Sequence, residues 1–477
     1  MKTQHNTFPG KQWLIWMGHL SFAVLLVWSI LYFKARVLSY DSAWHLFTLV
    51  QEGTFLLDHD RFLVMAIQGL PLLLVKLGAS LKTVMLSYSM SWVLFPYLIY
   101  LLLVYGLRAY QAAILLPLSL VLNPGVSFFY LAAELPLSLG VFALLVAWLS
   151  YFPDQKRISM SLGFLVAILL IVIASYGRML IGGVIFAYLL FEGIAHERWK
   201  ERLWQGLVAF TVLWFGMRVM LIPTDSYEGG AIRNMAQIFD ASTYFSRPDF
   251  LQPWFRTTSK VLWPCYLVSI VLIGNYLYRR NWLLSLYVLG VMLAFSVLSI
   301  WYSPFGALGA DHYLMMWGGV IAWPMLTELK TISTRRLPPL IVGSLLLIGL
   351  INLHQVRRHF VKRVAYLEFA LEENAKRQSV KTISLRQELD HNYFWVDWSL
   401  GVESLLLSSM ISPDSSQTIF AQIPAQDTKV QRAIQESGLW LGPHFREPYP
   451  ASALNPYYFR LPDHPYQKLA PPPYEAR

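Results

Sequence analysis

The chain has 477 residues, of which 56% are hydrophobic, 15% aromatic and only 14% charged. One water-soluble core of this size cannot bury so much apolar surface, so the composition excludes an ordinary soluble enzyme and favours a membrane protein. The net charge of +10 does not indicate a nucleic-acid partner. The basic residues cluster at the ends of apolar runs, where they suit membrane topology and anionic lipid headgroups.

Several apolar runs approach or exceed the roughly 20 residues that a helix needs to cross about 30 Å of hydrocarbon. Because they are too long for the strands of a membrane barrel, they predict an all-α polytopic membrane protein with about eleven transmembrane helices. The first run is interpreted as an uncleaved helix, since no small-x-small cleavage pattern follows it. The predicted spans are 12–33, 84–105, 109–129, 136–151, 160–174, 179–191, 203–222, 261–278, 282–301, 314–329 and 339–353.

The distribution of charge orients these spans. With the N-terminus in the cytoplasm, five basic clusters fall in the inner loops, as the positive-inside rule requires. This orientation predicts a multi-pass inner-membrane or plasma-membrane protein whose C-terminal domain lies on the periplasmic or extracellular side. The predicted outer loops are 34–83, 123–135, 223–260 and 302–313.

Two features strain this topology. The apolar stretch 62–81 is interrupted by Gln68, Pro71 and Lys76, and it is predicted to lie along the outer surface rather than to cross. A basic run after the last span would by the same charge rule favour the cytoplasm, but the five inner clusters outweigh it. That run consists of Arg357, Arg358, Lys362 and Arg363.

The chain divides into a transmembrane domain, 1–353, and a small soluble C-terminal domain, 354–477. The C-terminal domain begins with a charged, helix-like segment to about residue 388. Beyond it, short apolar stretches alternate with Pro and Gly, which predicts a small α/β or irregular fold ending in an extended PPPY stretch. The single cysteine, Cys265, excludes an intramolecular disulfide.

The first outer loop contains the main candidate for catalysis. In SYDSAWHLFTLVQEG, residues 39–53, apolar side chains recur at helical spacing and Gly53 supplies a stop, which predicts an amphipathic surface helix. Asp41 lies at its start, where the helix dipole stabilises a carboxylate, and His45 follows one turn later on the same face. The alternative is that Ser39 or Asp41 only caps the helix.

Other polar residues of the predicted outer face are candidates for binding. Glu134 stands among apolar residues of the second outer loop, where a carboxylate must face a cavity or water. His59 and Arg61, in the sequence DHDR, share the first outer loop with Asp41. The alternative for Glu134 is an interfacial glutamate that points outward. The alternative for His59 and Arg61 is an ordinary charged loop beside a membrane.

Two arginines lie near the outer ends of predicted helices. Arg178 marks a short turn in ASYGRMLIGG, and Arg218 lies about one turn inside the end of its helix. A guanidinium at this depth is costly unless paired, and a lipid phosphate is a natural partner, although an outward-pointing side chain is the alternative. His312 and Tyr313 follow Asp311 at the mouth of a late helix, where Asp311 alternatively acts as a cap.

The order of these residues resembles the integral-membrane glycosyltransferases of the C superfamily (GT-C), which include protein mannosyltransferases, aminoarabinose transferases and oligosaccharyltransferase catalytic subunits. The resemblance covers about residues 12–353. It implies a catalytic carboxylate at Asp41 in SYDSAWHLF and a second acidic position at Glu134 in LAAELPLS. The basic residue that the family often carries in its fifth-to-sixth helix turn corresponds to Arg178.

A further match is the basic-Tyr-Leu motif that opens a late helix before a proline. His312, Tyr313 and Pro324 in DHYLMMWGGVIAWP correspond to it, with His in place of the more usual Arg. The second loop lacks a full acidic-x-acidic motif. Whether a divalent metal ion, Mg²⁺ or Mn²⁺ held by Asp41 and Glu134, takes part is therefore left open.

The resemblance implies transfer of a sugar from a polyprenyl-phosphate donor to a glycan, lipid or protein acceptor at the outer face. Asp41 would act as general base while Arg178, with Arg218 or His312, stabilises the departing phosphate. The alternatives are a secondary transporter or lipid flippase, a non-catalytic scaffold, and a polysaccharide polymerase or ligase. The sequence contains no Walker loop, Rossmann fingerprint, HExxH motif or paired CxxC.

Overall fold

The computed structural model is mostly helical, with little sheet. Among the described residues, four helices are long and apolar enough to cross a membrane: Lys11–Leu31, Leu81–Gly106, Arg202–Leu221 and Leu337–Lys376. The structure describes residues 10–57, 61–122, 126–131, 134–151, 159–223, 229, 255, 262–302, 306–331, 336–385, 398–422, 439–441, 449–462 and 464–468.

Ten of the eleven predicted apolar spans each coincide with one helix, because uninterrupted apolar sequence favours helices whose backbone groups bond internally. The span predicted at 109–129 is wrong in its second half, since the helix there ends at Val121 and a separate short helix covers Val126–Phe129. The long helices are α1 Lys11–Leu31, α5 Leu81–Leu101, α6 Tyr110–Val121, α8 Leu135–Tyr151, α9 Met160–Ser175, α10 Ile181–Ala195, α11 Arg202–Leu221, α12 Trp263–Tyr278, α13 Trp282–Tyr302, α14 Gly306–Thr331 and α15 Leu337–Lys376. The shorter ones are α2 Phe33–Val37, α3 Asp41–Glu52, α4 Met65–Lys76, α7 Val126–Phe129 and α16 Leu400–Ser409.

Helices α1 and α5 run antiparallel and define the two ends of the bundle. Near the start of α1, the His19 ring lies 2.9 Å from the hydroxyl of Tyr105, just beyond the end of α5. Near the other end of α1, the Ser89 hydroxyl of α5 donates to the Ser29 carbonyl at 2.7 Å. The end at which α1 finishes also carries α2, α3 and α4. We call it the α3 end.

Helix α4 lies along the α3 end. Its 12 residues rise only about 18 Å, less than the hydrocarbon thickness. Arg61, before α4, contacts Glu134, and the carbonyls of Gly78 and Ala79, after it, accept hydrogen bonds from Tyr457 and Tyr458. The segments on both sides of α4 therefore contact residues of the α3 end, and α4 itself packs against α5.

Helix α15 continues for 40 residues, about 60 Å, so the predicted boundary at 353 falls inside one unbroken helix. This continuity gives the basic run after the last span internal partners. Arg357 donates to the Tyr32 hydroxyl, and Arg363 forms an ion pair with Glu403. Because these charges are bound within the protein, they say less about membrane orientation than free basic residues would.

The C-terminal domain contains a three-stranded parallel sheet in the order β2-β1-β3. The strands are β1 Lys381–Leu385, β2 Thr418–Gln422 and β3 Gln467–Lys468. Helix α16 packs on β2, where the Ile419 amide donates to Ser404 Oγ at 2.8 Å. The observed fold is thus a small α/β unit, one of the two forms that the sequence predicts.

This domain rests on α3. The Asn455 amide donates to Gln51 Oε1 at 2.8 Å, and its side chain donates to the Val50 carbonyl at 3.1 Å. The rings of Phe459 and Phe47 lie 5.6 Å apart. The C-terminal domain therefore covers the buried face of the helix that begins at Asp41.

Candidate active site

Helix α3 begins at Asp41 and ends before Gly53, whose φ of 62° gives a left-handed C-cap. This confirms the predicted helix and its stop, but the predicted surface position is wrong: most of its residues are buried, because the C-terminal domain packs on it. The N-cap residue is Tyr40, whose side chain makes no capping hydrogen bond, so neither Ser39 nor Asp41 is the N-cap residue. The Ser39 hydroxyl instead donates to the Phe129 carbonyl at 2.5 Å.

The residue before the helix, Tyr40, has φ 50° and ψ −120°. This is the conformation of the first central residue of a type II′ turn, which glycine favours. A tyrosine held there costs about 1–3 kcal/mol, and such strain persists only where the surroundings over-determine it. The strained residue therefore sets the direction in which the chain enters α3 at Asp41.

The Asp41 carboxylate is only partly buried. The Tyr130 hydroxyl donates a hydrogen bond to its Oδ2 atom. The next residue, Ser42, accepts a hydrogen bond from the Leu131 amide at 2.8 Å. The first turn of α3 is thus bound to the segment before Glu134, which leaves Asp41 held in place and still partly open to solvent.

Glu134 is in the opposite situation, since it is only 3% exposed. Its Oε1 accepts a hydrogen bond from Arg61 Nη1 at 2.6 Å, and Arg178 Nη1 lies 3.7 Å from Oε2. Burial alone would raise the pKa of Glu134, but Arg61 and Arg178, with a smaller contribution from His45, outweigh it and lower that pKa. The Glu134 side chain is therefore an ionised, buried carboxylate.

The turn between α9 and α10 brings Arg178 to this site. Phe62, next to Arg61, packs on Tyr176 of this turn with ring centroids 5.3 Å apart. A Cβ at Gly177 would lie 2.2 Å from Ser138 Oγ, so the turn approaches α8 too closely for any larger residue. The predicted proximity of Arg61 and Arg178 to the acidic residues follows from this packing.

The two arginines of the turn region differ in their partners. Arg218 donates to the Ser175 carbonyl at 2.6 Å and lies 4.8 Å from the Tyr176 ring centroid. Arg178 makes only its 3.7 Å ion pair among the contacts of the described residues. Most of the N–H donors of Arg178 therefore remain available for an anion, whereas Arg218 mainly braces the turn.

Tyr88 of α5 lies near the two carboxylates, although its sequence context did not reveal it. Its side chain is fully buried, and its hydroxyl has no hydrogen-bond partner among the described residues. Both Asp41 and Glu134 act on this hydroxyl electrostatically, so the two carboxylates converge on one region. An unsatisfied buried hydroxyl is uncommon and calls for an explanation.

Arg36 of α2 connects the helices around this region. Its side chain is fully buried and donates to the Phe128 carbonyl at 2.8 Å and to the Ser89 carbonyl at 2.6 Å. Its guanidinium also lies 4.0 Å from the Phe128 ring centroid. These contacts tie α2, α5 and α7 together and thereby position the segment that carries Tyr130.

The remaining predicted residues divide by position. His45 is 8% exposed, one turn after Asp41, and contributes to the electrostatics of Glu134. His59 lies outside the described residues. His312 and Tyr313 lie within α14, which begins at Gly306, rather than in the loop before it, and their side chains lie outside the described part of the chain.

A divalent metal does not fit the arrangement of Glu134, because guanidinium groups face both of its oxygens. In the described part of the chain, no three His, Cys, Asp or Glu side chains converge in a group that could hold a metal ion. The arrangement around Glu134 therefore supplies no metal site for the reaction.

No protein-family model, curated protein or solved structure gives a significant match to this chain.

Proposed function

We propose that this chain is a membrane glycosyltransferase that transfers a sugar from a polyprenyl-phosphate donor to an acceptor at the α3 end of the bundle. The observation that carries the proposal is that two carboxylates with different exposure and different partners lie in one region. Asp41 is partly exposed and held by Tyr130, whereas Glu134 is buried and ionised beside Arg178. A buried carboxylate whose pKa is shifted by specific cations, next to a partly open carboxylate, is the kind of cluster that marks functional sites.

In the proposed reaction, an acceptor hydroxyl oxygen attacks the anomeric carbon of the donor sugar. The bond between that carbon and the phosphate oxygen breaks, and the electron pair leaves with the polyprenyl phosphate. Asp41 accepts the proton of the acceptor hydroxyl as general base. Arg178 donates hydrogen bonds to the departing phosphate, whose charge it stabilises.

The structure leads us to reassign Glu134. With 3% exposure and two arginine partners, it is better suited to hold Arg61 and Arg178 than to exchange a proton with substrate. Tyr88 is fully buried, with no hydrogen-bond partner for its hydroxyl among the described residues, and it is given no contact with substrate. The proposed machinery is therefore Asp41 as base, Arg178 as phosphate ligand and Glu134 as the residue that orients it.

The surface helices support a substrate that arrives from the membrane. Helix α4 lies along the α3 end and exposes Leu70, Leu73 and Leu77, an apolar face of the kind that interfacial helices bury at the headgroup level. A polyprenyl phosphate has its tail in hydrocarbon and its phosphate at that same level. Arg178 would then meet the phosphate without carrying its charge into the bilayer.

The proposal includes a topology. With about eleven crossings in a GT-C-like arrangement and a cytoplasmic N-terminus, the α3 end faces the periplasm or the exterior. The C-terminal domain contacts α3 and would lie on that same side. An acceptor glycan, lipid or protein would then reach Asp41 from outside the cell.

The test uses purified protein in liposomes that contain radiolabelled polyprenyl-phosphate sugars and a mixture of acceptors. Wild-type protein should release polyprenyl phosphate, and Asp41→Asn should lower the rate by about 10²-fold or more, the usual contribution of a general base. Asp414→Asn, which alters an exposed carboxylate of the C-terminal domain, is the matched control and should keep the wild-type rate.

Two outcomes would contradict the proposal. In the first, Asp41→Asn turns over as fast as the control. In the second, the labelled donor crosses the liposome membrane intact in an Asp41-dependent manner, which would favour the transporter or flippase alternative.

A further inference from the structure

Glu403 of the C-terminal domain forms a fully buried ion pair with Arg363 of α15. The side chains are 0% and 1% exposed, respectively. Arg363 Nε donates to Glu403 Oε2 at 3.0 Å and its Nη2 donates to Oε1 at 2.9 Å. The pair is therefore bidentate and dry, and it joins the long helix to the α/β domain.

The same carboxylate reaches the start of α3. The backbone N–H of Tyr40 donates to Glu403 Oε1 at 3.2 Å, and the Arg363 guanidinium lies 4.8 Å from the Tyr40 ring centroid. Ser399 donates a further hydrogen bond to Oε1 at 2.5 Å. One buried ion pair thus contacts both the backbone N–H and the ring of Tyr40, the strained residue that directly precedes Asp41.

We propose that Glu403 and Arg363 are positioning residues for catalysis: the C-terminal domain holds Tyr40 in its left-handed conformation and thereby aims the Asp41 carboxylate. This inference rests on the proposed transferase function, which supplies the role of Asp41. It gives the C-terminal domain a direct part in the reaction without contact with substrate.

Stability alone does not account for the pair. A buried ion pair is often no more stabilising than well-packed apolar side chains of the same volume. What an apolar pair would lack is an acceptor for the Tyr40 N–H and a cation over its ring. Without them, Tyr40 would relax from a φ that tyrosine rarely adopts, and the first turn of α3 would rotate.

The chain offers a matched control. Lys34 Nζ lies 2.6 Å from Glu368 Oε1, and both side chains are partly exposed. This pair also joins α15 to the segment before α3, but the hydrogen bond to the Tyr40 N–H comes from Glu403 and not from this pair. Glu368→Gln should therefore leave both the geometry of α3 and the rate of transfer unchanged.

The experiment compares Glu403→Ala, Glu403→Gln, Glu368→Gln and the exchanged pair Arg363→Glu with Glu403→Arg, all as full chains in liposomes. Glu403→Ala should lower kcat by about 10²-fold, the effect of misplacing a reacting group by about 1 Å, with little change in the KM for the donor. Glu403→Gln keeps an oxygen that can accept from Tyr40 and should lose less. The exchanged pair should recover thermal stability but not kcat, because arginine cannot accept the Tyr40 hydrogen bond.

A merely structural role predicts a different pattern. Thermal stability and kcat would then recover together in the exchanged pair, and that result would overturn the proposal. If Glu403→Ala does not fold, Glu403→Gln takes its place. A kcat of Glu403→Gln equal to that of Glu368→Gln would then overturn the proposal.

A second measurement does not depend on activity. The amides of Ala43 and Trp44 donate to the Tyr40 carbonyl, so their hydrogen exchange should accelerate in Glu403→Ala, less in Glu403→Gln, and not in Glu368→Gln. Unchanged exchange would overturn the positioning role even if transfer is observed. If exchange accelerates but the wild-type protein transfers no sugar, Glu403 does hold the start of α3. Only the proposed transferase function would then be contradicted.

Discussion

Arg61→Gln tests the electrostatic core of the site, because it removes the closer partner of a buried carboxylate. At an effective dielectric constant of about 20, an ion pair at 2.6 Å has a gross attraction of about 6 kcal/mol and one at 3.7 Å about 4.5 kcal/mol. The cost of removing the ions from water offsets most of both attractions. Since Arg178 remains in Arg61→Gln, we expect a net loss near the low end for a broken buried pair, about 3 kcal/mol.

The pH dependence should change as well. The wild-type pKa of Glu134 lies below its ordinary value of 4.5, so the stabilisation is complete above a pH of about 4.5 and is lost as the pH falls through the lowered pKa. In Arg61→Gln, only Arg178 and His45 oppose the effect of burial, so the pKa of Glu134 rises from its wild-type value. The loss of stability on acidification should therefore begin at a higher pH.

The assay is thermal unfolding in detergent from pH 4 to pH 8, followed by tryptophan fluorescence. Arg460→Gln is the control, because Arg460 pairs with Asp414 at an exposed site and should cost less than about 0.5 kcal/mol. The reasoning is refuted if Arg61→Gln is no less stable than Arg460→Gln, or if its acid transition coincides with that of the wild type.

Three further predictions each concern a single residue. Tyr88→Phe removes a buried hydroxyl that has no hydrogen-bond partner among the described residues, so it should leave the melting temperature nearly unchanged. A clear fall in the melting temperature would show that the hydroxyl is hydrogen-bonded after all. Tyr130→Phe removes the donor to Asp41, and a pH–rate profile should show the apparent pKa of the base moving upward, whereas an unmoved profile would count against that bond. Gly349→Ala places a Cβ 2.5 Å from the Val121 carbonyl oxygen and should destabilise the protein by about 1–3 kcal/mol. Gly290→Ala, which has open space, should be neutral or slightly stabilising in the same melt.

The sequence predicted those parts of the fold that depend on local pattern. Helix α3 begins at Asp41 and is stopped by Gly53, because apolar spacing and a C-terminal glycine are sufficient to specify such a helix. The apolar runs likewise coincide with helices. The charged, helix-like segment predicted after 353 is also helical, to Lys376. Its continuity with the last apolar span was not predicted, because the change from apolar to charged sequence resembles a domain boundary.

The site was predicted in part. Asp41, Glu134 and Arg178 were each identified by a charge in an apolar context, but the pairing of Arg61 with Glu134 joins positions 73 residues apart that no local pattern links. Tyr88 gave no signal, because a tyrosine in an apolar helix usually belongs to the core. The strained φ of Tyr40 was equally hidden, since its cause lies in the C-terminal domain.

The most direct test of the central claim is an experimental structure of the protein in a lipid nanodisc with a non-hydrolysable polyprenyl-phosphate sugar. The account predicts the phosphate within hydrogen-bond distance of Arg178 and the anomeric carbon facing Asp41, with the polyprenyl chain passing beside α4. A donor bound at the opposite end of the bundle, or with its phosphate away from Arg178 and its sugar away from Asp41, would contradict the account.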